Sequence, residues 1–224
     1  MNQYNVTLTG ITPLLLHADN FKFREKVKTW IKRPENKSMS VAGDDRSPAF
    51  TWIGYCYFNN GKVCMPSDNL MTLFRDAGKK VPTGKKGASF KLLMAAGLLI
   101  DQIAWDVETW GEDGVVRTVS EKEIMALMNE PDFSKHEEAA EKMGFVLFPK
   151  SAKIMKAKNI RVRPRFNNWR ISGTITVLDD SITQDVLDDI LRVAGMFVGC
   201  GDWRPGSPMS PGSWGKFTHV ISPL

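Results

Sequence analysis

The chain has 224 residues, of which 42% are hydrophobic, and a formal net charge of +5. This length allows one domain with insertions or two small domains, and either can bury a core. No run of about 18 apolar residues is present, so neither a transmembrane helix nor a membrane partner is expected. The N-terminal stretch MNQYNVTLTG lacks the basic-then-apolar layout of a secretory signal, which favours a cytoplasmic location.

The first elements predicted are a strand, a basic insertion and a hairpin. Residues 4–12, YNVTLTGIT, alternate in polarity and are rich in β-formers, which is typical of a strand. Residues 18–48 lose this pattern and are rich in lysine and arginine, which predicts a mobile basic insertion. Asn60-Gly61 lies between two β-rich runs and is a strong hairpin-turn signal.

A helix, a loop, a second helix and a strand follow. Ser67 or Asp68 can cap a helix that ends at Gly78. Its apolar face is formed by Leu70, Leu73, Phe74 and Ala77. Residues 79–91 are basic, contain no acidic residue and are predicted to form a loop. Residues 88–100 favour a short buried helix, and residues 103–110 favour a strand.

An acidic segment occupies residues 101–142. It holds twelve acidic and four basic residues, so the rest of the chain carries a net charge of +13. Residues 120–130 and 134–144 each begin with serine and are rich in glutamate, which predicts two surface helices. Such a segment is either a docking face for the next copy of the chain or a solvated helical insertion.

The last third of the chain returns to strands. From Trp169 to Val177 apolar residues alternate with polar ones, residues 183–199 form an amphipathic helix that Thr183 can cap, and residues 214–222 form a closing strand. Without the insertions the order is β-α-β-β-α-β, so an α+β fold with a ferredoxin-like or RRM-like plait is expected. The whole chain, 1–224, is then one domain with a basic insertion at about 18–50 and another at about 101–160, in which acidic helices precede a basic hairpin.

A basic stretch from 150 to 170 carries the strongest functional signal, with eight lysines and arginines and no carboxylate. Arg161, Arg163 and Arg165, here called the arginine row, share strand parity and are expected to project from one face. Such a row suits the phosphates of an extended single strand, while Phe166 and Trp169 offer rings for base stacking. The alternative is a solvated edge strand that uses charge against aggregation.

The glycine-rich loop, residues 199–217, follows a helix and leads into a strand, which is the reverse of a dinucleotide-binding motif. Its glycines let backbone amides approach a phosphate or another chain, while arginine, lysine and tryptophan side chains supply charge and stacking. The alternative is a rigid surface loop packed by proline and tryptophan.

Catalytic patterns are sparse. His17 and His219 lie on the first and last strands, and two such strands can be neighbours in a plait, although core or edge histidines are the simpler interpretation. Asp19 is an isolated carboxylate beside the basic insertion and is a weak candidate for assisting attack on a phosphodiester. An enzyme is therefore not the favoured expectation.

Three segments resemble the RAMP superfamily, the ferredoxin-like proteins of CRISPR effector complexes. VCMPSDNLMTLFRDAGKK (63–80) is similar to their strand–Pro–Ser–helix–Arg segment, and residues 190–217 resemble their helix, glycine-rich loop and G-[RK]-F ending. VTLTGITPLLLHAD (6–19) is similar to their first strand. The glycine-rich loop is longer and richer in proline than the family's G-x-G-x-x-x-G form.

The resemblance is strongest to the backbone subunit, whose palm carries finger-like and thumb-like insertions and whose copies line up along guide RNA. It places Ser67, Asn69 and Arg75 in the first helix segment, and Gly199, Gly201, Arg204, Gly215 and Lys216 in the loop. It also implies that Asp19 is the position nearest to the aspartate with which some backbone subunits cleave target RNA.

The expected function is largely sequence-independent binding of RNA or single-stranded DNA by several copies of the chain, without catalysis and together with other CRISPR effector subunits. The alternatives are an endoribonuclease on the same fold, metal-independent or assisted by Asp19 or His17, and a phage protein that binds or mimics a CRISPR subunit. The expected contact residues are Arg75, Lys79, Lys80, Lys85, Lys86, Arg161, Arg163, Arg165, Phe166, Trp169, Arg170, Gly199, Gly201, Trp203, Arg204 and Lys216.

Three cysteines, Cys56, Cys64 and Cys200, are too few and too scattered for a disulfide framework or a zinc site. Cys56 and Cys64 can be placed opposite each other across a hairpin, but buried thiols in a reducing cytoplasm are the simpler interpretation. Neither a metal nor a cofactor is expected.

Overall fold

The structure is a computed structural model that describes residues 2–154, 157–209 and 211–224. It confirms the α+β class, with a mostly antiparallel sheet and several helices. The strands are β1 (Asn2–Gly10), β2 (Leu14–Leu15), β3 (Phe58–Asn59), β4 (Lys62–Pro66), β5 (Leu98–Ile100), β6 (Ala104–Thr109), β7 (Arg117–Thr118), β8 (Val146–Ile154), β9 (Ala157–Phe166), β10 (Trp169–Val177) and β11 (Phe217–Pro223). The helices are α1 (Phe21–Lys32), α2 (Ser67–Gly78), α3 (Lys91–Ala96), α4 (Glu121–Ala126), α5 (Phe133–Lys142) and α6 (Gln184–Val193).

The chain divides into two compact units. Unit 1 contains residues 1–15, 64–108 and 168–224, and unit 2 contains residues 16–63 and 109–167. The insertions predicted at 18–50 and 101–160 fall almost entirely in unit 2, so they fold with each other. That the chain is one RAMP-like domain stays a prediction.

Unit 1 is built on a sheet in the order β11-β1-β10-β6-β4, with β5 also pairing with β10. Strand β1 is antiparallel to both β10 and β11, and Val6 lies opposite Gly173 on one side and Ile221 on the other. The alternation predicted for 169–177 is present, because Trp169, Ile171 and Ile175 are fully buried. Apolar side chains therefore cover one face of the sheet.

The opposite face of the unit 1 sheet is lined by hydroxyl and amide side chains. The Ser172 hydroxyl bonds to that of Thr7 at 3.1 Å, and the Gln3 amide donates to the Thr176 hydroxyl at 3.1 Å. Thr176 in turn donates to Asp101 at 2.8 Å. These side chains carry no positive charge, so this part of the face offers little electrostatic attraction to phosphates.

Helices α2 and α6 supply the other half of the unit 1 core. Leu70, Leu73 and Phe74 of α2, and Leu187, Ile190 and Leu191 of α6, are buried. Thr183 caps α6 as predicted, since its side chain accepts the amide of Val186 at 3.3 Å. The buried helix predicted for 88–100 is only partly right, because α3 ends at Ala96 and Leu98–Ile100 form a strand on β10.

The core of unit 2 centres on Trp52, which lies in a 3-10 helix (Ala49–Tyr55) and is fully buried. Its indole Nε1 donates to Nδ1 of His136 at 3.0 Å, and Nε2 of His136 lies 2.9 Å from the Glu130 carbonyl. Burial lowers the pKa of His136, which keeps the imidazole neutral and able to accept from the indole. His136 is thus a structural residue of the core.

Two local predictions in unit 2 are corrected. The segment 18–48, predicted as a mobile insertion, contains α1. The side chain of Asn20 caps this helix by accepting the amide of Phe23 at 3.1 Å, and Phe23, Val27 and Trp30 recur at helical spacing. Helix α5 is capped by Asp132, whose carboxylate accepts the amide of Ser134 at 2.9 Å. The two acidic surface helices themselves are confirmed as α4 and α5.

All three cysteines are buried thiols, so we expect the folded protein to react negligibly with Ellman's reagent at pH 8. Burial raises the pKa of Cys200 to about 12, which leaves almost none of its sulfur as reactive thiolate at that pH. The same sample should release three equivalents in guanidinium chloride. Rapid reaction of the native protein would contradict the buried placement.

Candidate nucleic-acid interface

The arginine row lies on β9 as predicted, and its side chains share one face of the β8–β9 hairpin, where Phe148 is opposite Arg163. That face is covered, however. The side chain of Arg163 is 6% exposed and that of Arg161 is 29% exposed. The expectation of an open, uncompensated row is therefore wrong for these two residues, because Asp45 and Tyr55 pack over them. Lys156, a further lysine of the basic stretch, lies outside the described residues.

Asp45 is the centre of this cover and is 5% exposed. Its Oδ1 accepts from Arg161 Nη1 at 2.7 Å, and its Oδ2 accepts from the Tyr55 hydroxyl at 2.9 Å and the Val162 amide at 3.2 Å. The guanidinium of Arg163 lies 3.7 Å from Oδ2 and 4.2 Å from the centre of the Tyr55 ring. We call Asp45, Tyr55, Arg161 and Arg163 the Asp45 cluster, an internal ion network of unit 2.

Two members of the Asp45 cluster, Tyr55 and Arg161, have shifted pKa values. Burial, and then the charge of Asp45, raise the pKa of Tyr55, so its hydroxyl remains a donor. Burial opposes the charge of Arg161, but the contacts with Asp45 raise its pKa overall. The cluster therefore acts as a structural clamp on β9.

Arg165 is the member of the row without a carboxylate partner among the described residues. Its guanidinium lies 4.8 Å from the centre of the Phe148 ring. Its Nε is buried and has no hydrogen-bond acceptor within the described parts of the chain, and burial lowers its pKa. A buried donor without an acceptor costs free energy, and an anion reaches this one only after the side chain turns outward.

The two aromatic residues expected to stack on bases are in the cores. Phe166 is fully buried and stacks on Phe145 with ring centres 5.1 Å apart. Trp169 is also fully buried, and its indole donates to the Thr12 carbonyl at 2.8 Å. The expectation that these rings are available for stacking is wrong, because each ring points into the core of its unit, on the opposite face of its strand from the neighbouring arginine.

Arg170 lies on the polar face of the unit 1 sheet and is engaged within its own unit. Its Nε donates to a carboxylate oxygen of Glu108 at 2.6 Å, and its side chain is 39% exposed. A nucleic acid would have to compete with this carboxylate, so Arg170 is a weaker candidate than a cation without an acidic neighbour.

The candidate catalytic residues fall into separate settings. In unit 2, His17 is exposed, its Nε2 lies 3.3 Å from Arg163 Nη2, and Asp19 forms an exposed ion pair with Arg24 at 3.1 Å. In unit 1, His219 Nε2 lies 2.9 Å from Asp188. His219 is therefore held by a carboxylate of its own unit.

Helix α1 presents a basic surface in unit 2 that the sequence did not predict as a helix. Its lysines 22, 26, 28 and 32 are exposed, and Glu25, paired with Lys28 at 2.7 Å, is its sole acid. Only Phe23 of this helix is fully covered. The signal for the helix was present in the spacing of Phe23, Val27 and Trp30.

The glycine-rich loop is folded upon itself. The amide of Cys200 donates to the Gly215 carbonyl at 2.8 Å and the amide of Gly215 donates to the Pro13 carbonyl at 2.8 Å. Gly215 has φ +68, and a Cβ there would lie 1.8 Å from the Cys200 carbonyl oxygen. Close backbone packing thus explains this glycine, which favours the interpretation of a rigid, packed loop.

Gly199 and Gly201, the loop glycines expected to approach phosphate, serve the same packing. The amide of Gly199 donates to the Ala194 carbonyl at 2.8 Å. A Cβ on Gly201 would lie 2.3 Å from the Leu15 carbonyl oxygen. The φ values of both residues are positive, +72 and +77, so these positions exclude side chains for reasons of internal fit.

Three side chains of the loop remain candidates for contact. Trp203 and Lys216 are half-buried, and the side chain of Arg204 is 18% exposed. Arg204 Nη2 lies 3.8 Å from Asp76 of α2, while its Nη1 is buried without an acceptor in the described residues. Arg204 therefore resembles Arg165 in having a buried donor without an acceptor in the described residues.

The basic loop, residues 79–91, matches its prediction most closely. It is closed by a bridge between Pro82 and Ser89, and a Cβ on Gly84 or Gly87 would meet no atom within 4 Å. Its lysines 79, 80, 85, 86 and 91 are all exposed and form no ion pair with a described carboxylate. Arg75 of α2, 45% exposed, lies 3.8 Å from Asp76, next to Arg204. These residues, with Ser67 and Asn69 half-buried in the first turn of α2, lie in unit 1.

Within the described residues, no cluster of three or more histidine, cysteine, aspartate or glutamate side chains is arranged to hold a metal ion. None of the described helices combines the length and apolar character that crossing a bilayer requires.

Comparison with known proteins leaves the family open. No protein-family model matches the chain, and no curated protein is significantly similar to it in sequence. The geometry of the charged residues is thus the basis for assigning a function.

Proposed function

We propose that the protein binds single-stranded nucleic acid, RNA above all, through its phosphates and with little dependence on base sequence. The observation that carries this proposal is the basic loop of unit 1, where four predicted lysines, Lys79, Lys80, Lys85 and Lys86, are exposed without a carboxylate partner in the described structure. Like charges this close repel one another, and a polyanion relieves the repulsion while releasing its own counterions.

Two arginines with unsatisfied donors add to this support, one in each unit. Arg165 Nε and Arg204 Nη1 are buried and have no acceptor among the described residues. Charge-assisted hydrogen bonds to phosphate are stronger than neutral ones. Each arginine is therefore a candidate contact that an anion reaches once the side chain turns outward.

A ferredoxin-like plait is part of the same proposal. The order β11-β1-β10-β6, with β1 antiparallel to both neighbours and helices α2 and α6 in the two crossovers, supports it. The segments that resemble RAMP proteins coincide with β4–α2 and with α6, the glycine-rich loop and β11. We propose on this support that several copies line up along one strand, as CRISPR effector backbone subunits do.

The test is a salt series with nuclease-treated protein and labelled single-stranded homopolymers, read by fluorescence anisotropy. Five or six phosphate contacts predict that log affinity falls against log salt concentration with a slope of roughly −4. Homopolymers of different bases should bind with similar affinities. The number of bound protein chains should rise with oligonucleotide length. A slope near zero would refute phosphate binding, and one chain per strand at every length would refute the proposed assembly alone.

An endoribonuclease is the second candidate, favoured by the exposed His17 and Asp19 on one short segment beside Arg163. The same labelled RNA, run on a denaturing gel after incubation, separates the two functions. Intact RNA supports binding alone. If the wild-type protein shortens the RNA and both Asp19→Ala and His17→Ala leave it intact, the protein is a nuclease instead.

A further inference from the structure

A cavity of about 440 Å³ lies within unit 2, beside the C-terminal end of α1. Its wall includes Trp30, Arg33, Met39, Arg46, Met128 and Glu130. The volume falls within the range of about 300–1,000 Å³ that is typical of small-molecule sites, and such sites combine apolar walls with a few polar groups. This wall has that composition.

The charge of the cavity is positive. Arg33 is exposed and has no acidic partner in the described residues. Arg46 binds Asp44 with Nε and Nη2, at 3.0 and 2.7 Å, which leaves Nη1 outside this pair. The carboxylate of Glu130 is occupied by Lys135 at 3.2 Å and by the Asp132 amide at 3.1 Å. The cavity therefore has guanidinium donors for an anion, and the negative charges near it include Glu130, Asp44 and Glu137, the last of which acts on Arg46 from a distance.

The remaining wall suits a planar ring. Trp30 is half-buried, and its carbonyl accepts from Asn36 Nδ2 at 2.9 Å and from the Arg33 amide at 3.3 Å, which fixes the end of α1. Met39 is 51% exposed and Met128 is half-buried. Indole faces stack on bases irrespective of sequence, and methionine adapts to an irregular ligand.

We propose that this cavity binds a nucleoside monophosphate, with the base against Trp30 and the methionines and the phosphate at Arg33 and Arg46. A ligand with only one of these parts uses only half of the wall, so both adenosine and inorganic phosphate should bind more weakly. This inference does not rest on strand binding, since its residues are separate from the basic loop.

The test is isothermal titration calorimetry of the full chain with AMP, adenosine and inorganic phosphate. We expect AMP to bind about tenfold or more tightly than adenosine or phosphate, and Arg33→Gln to weaken AMP by a similar factor. Lys32→Gln is the matched control, because Lys32 is exposed on the same helix and does not line the cavity. Thermal melting should be the same for both variants.

Several outcomes would overturn the proposal. The proposal fails if AMP does not bind, if the Arg33→Gln and Lys32→Gln variants bind AMP with equal affinity, or if inorganic phosphate binds as tightly as AMP. Displacement of AMP by a 5′-hydroxyl oligonucleotide would also overturn it, by making the cavity part of the strand interface. Failure of strand binding with intact AMP binding would refute only the function proposed above.

Discussion

Replacing Lys80, Lys85 and Lys86 together with glutamine should weaken binding of single-stranded RNA by about 100-fold at 100 mM salt. Each phosphate contact contributes about 0.7 to the steepness with which log affinity falls against log salt concentration. Losing three contacts therefore makes this slope shallower by about 2, so the loss of affinity is largest at low salt. At 500 mM salt the same variant should differ from the wild type by only about fourfold. These lysines are exposed, so stability should be unchanged.

A matched control separates a local contact from a general effect of net charge. The variant with Lys122, Lys135 and Lys142 changed to glutamine removes the same charge from the acidic helices α4 and α5. We expect it to bind RNA within a factor of about two of wild type, because these lysines lie among carboxylates. Equal losses in both variants would show that the basic loop is not the binding surface.

Changing Asp45 to alanine should lower the free energy of unfolding by about 3–5 kcal/mol, because it leaves the buried cation of Arg163 and the partly buried cation of Arg161 without their carboxylate. Urea denaturation followed by circular dichroism measures the change. The control is Asp189→Asn, whose exposed pair with Arg192 should contribute less than about 1 kcal/mol. Similar stabilities of the two variants would contradict the role of the Asp45 cluster.

The position of Asp45 also affects which arginines are available to bind RNA. The sequence predicted Arg161 and Arg163 as the main phosphate contacts, yet in the structure both form ion pairs with Asp45. If the basic loop, Arg165 and Arg204 provide the binding, the affinity of folded protein for RNA should depend on these residues and much less on Arg161.

The strands and helices with strong periodicity could be predicted from the sequence. The β10 alternation, the apolar face of α2 and the Thr183 cap of α6 are local signals, and each is present in the structure. The cap predicted for α2 at Ser67 or Asp68 is wrong, because the helix begins at Ser67 directly after Pro66 and has no side-chain cap. The basic loop was also predictable, since a segment with several glycines and lysines, no acid and few apolar residues has little to bury. Local chemistry sufficed in these places because the neighbours that decide the structure are only a few residues away.

The sequence alone determined the α+β class, the alternating strands and the exposure of the basic loop. Only the tertiary structure decided that Asp45, more than 100 residues before the arginine row, pairs with Arg161 and Arg163. It also decided that the glycines at 201 and 215 make room for carbonyls of distant or folded-back backbone. The physical reason is that strand parity fixes which side chains share a face. What covers that face depends on long-range packing, which no local pattern encodes.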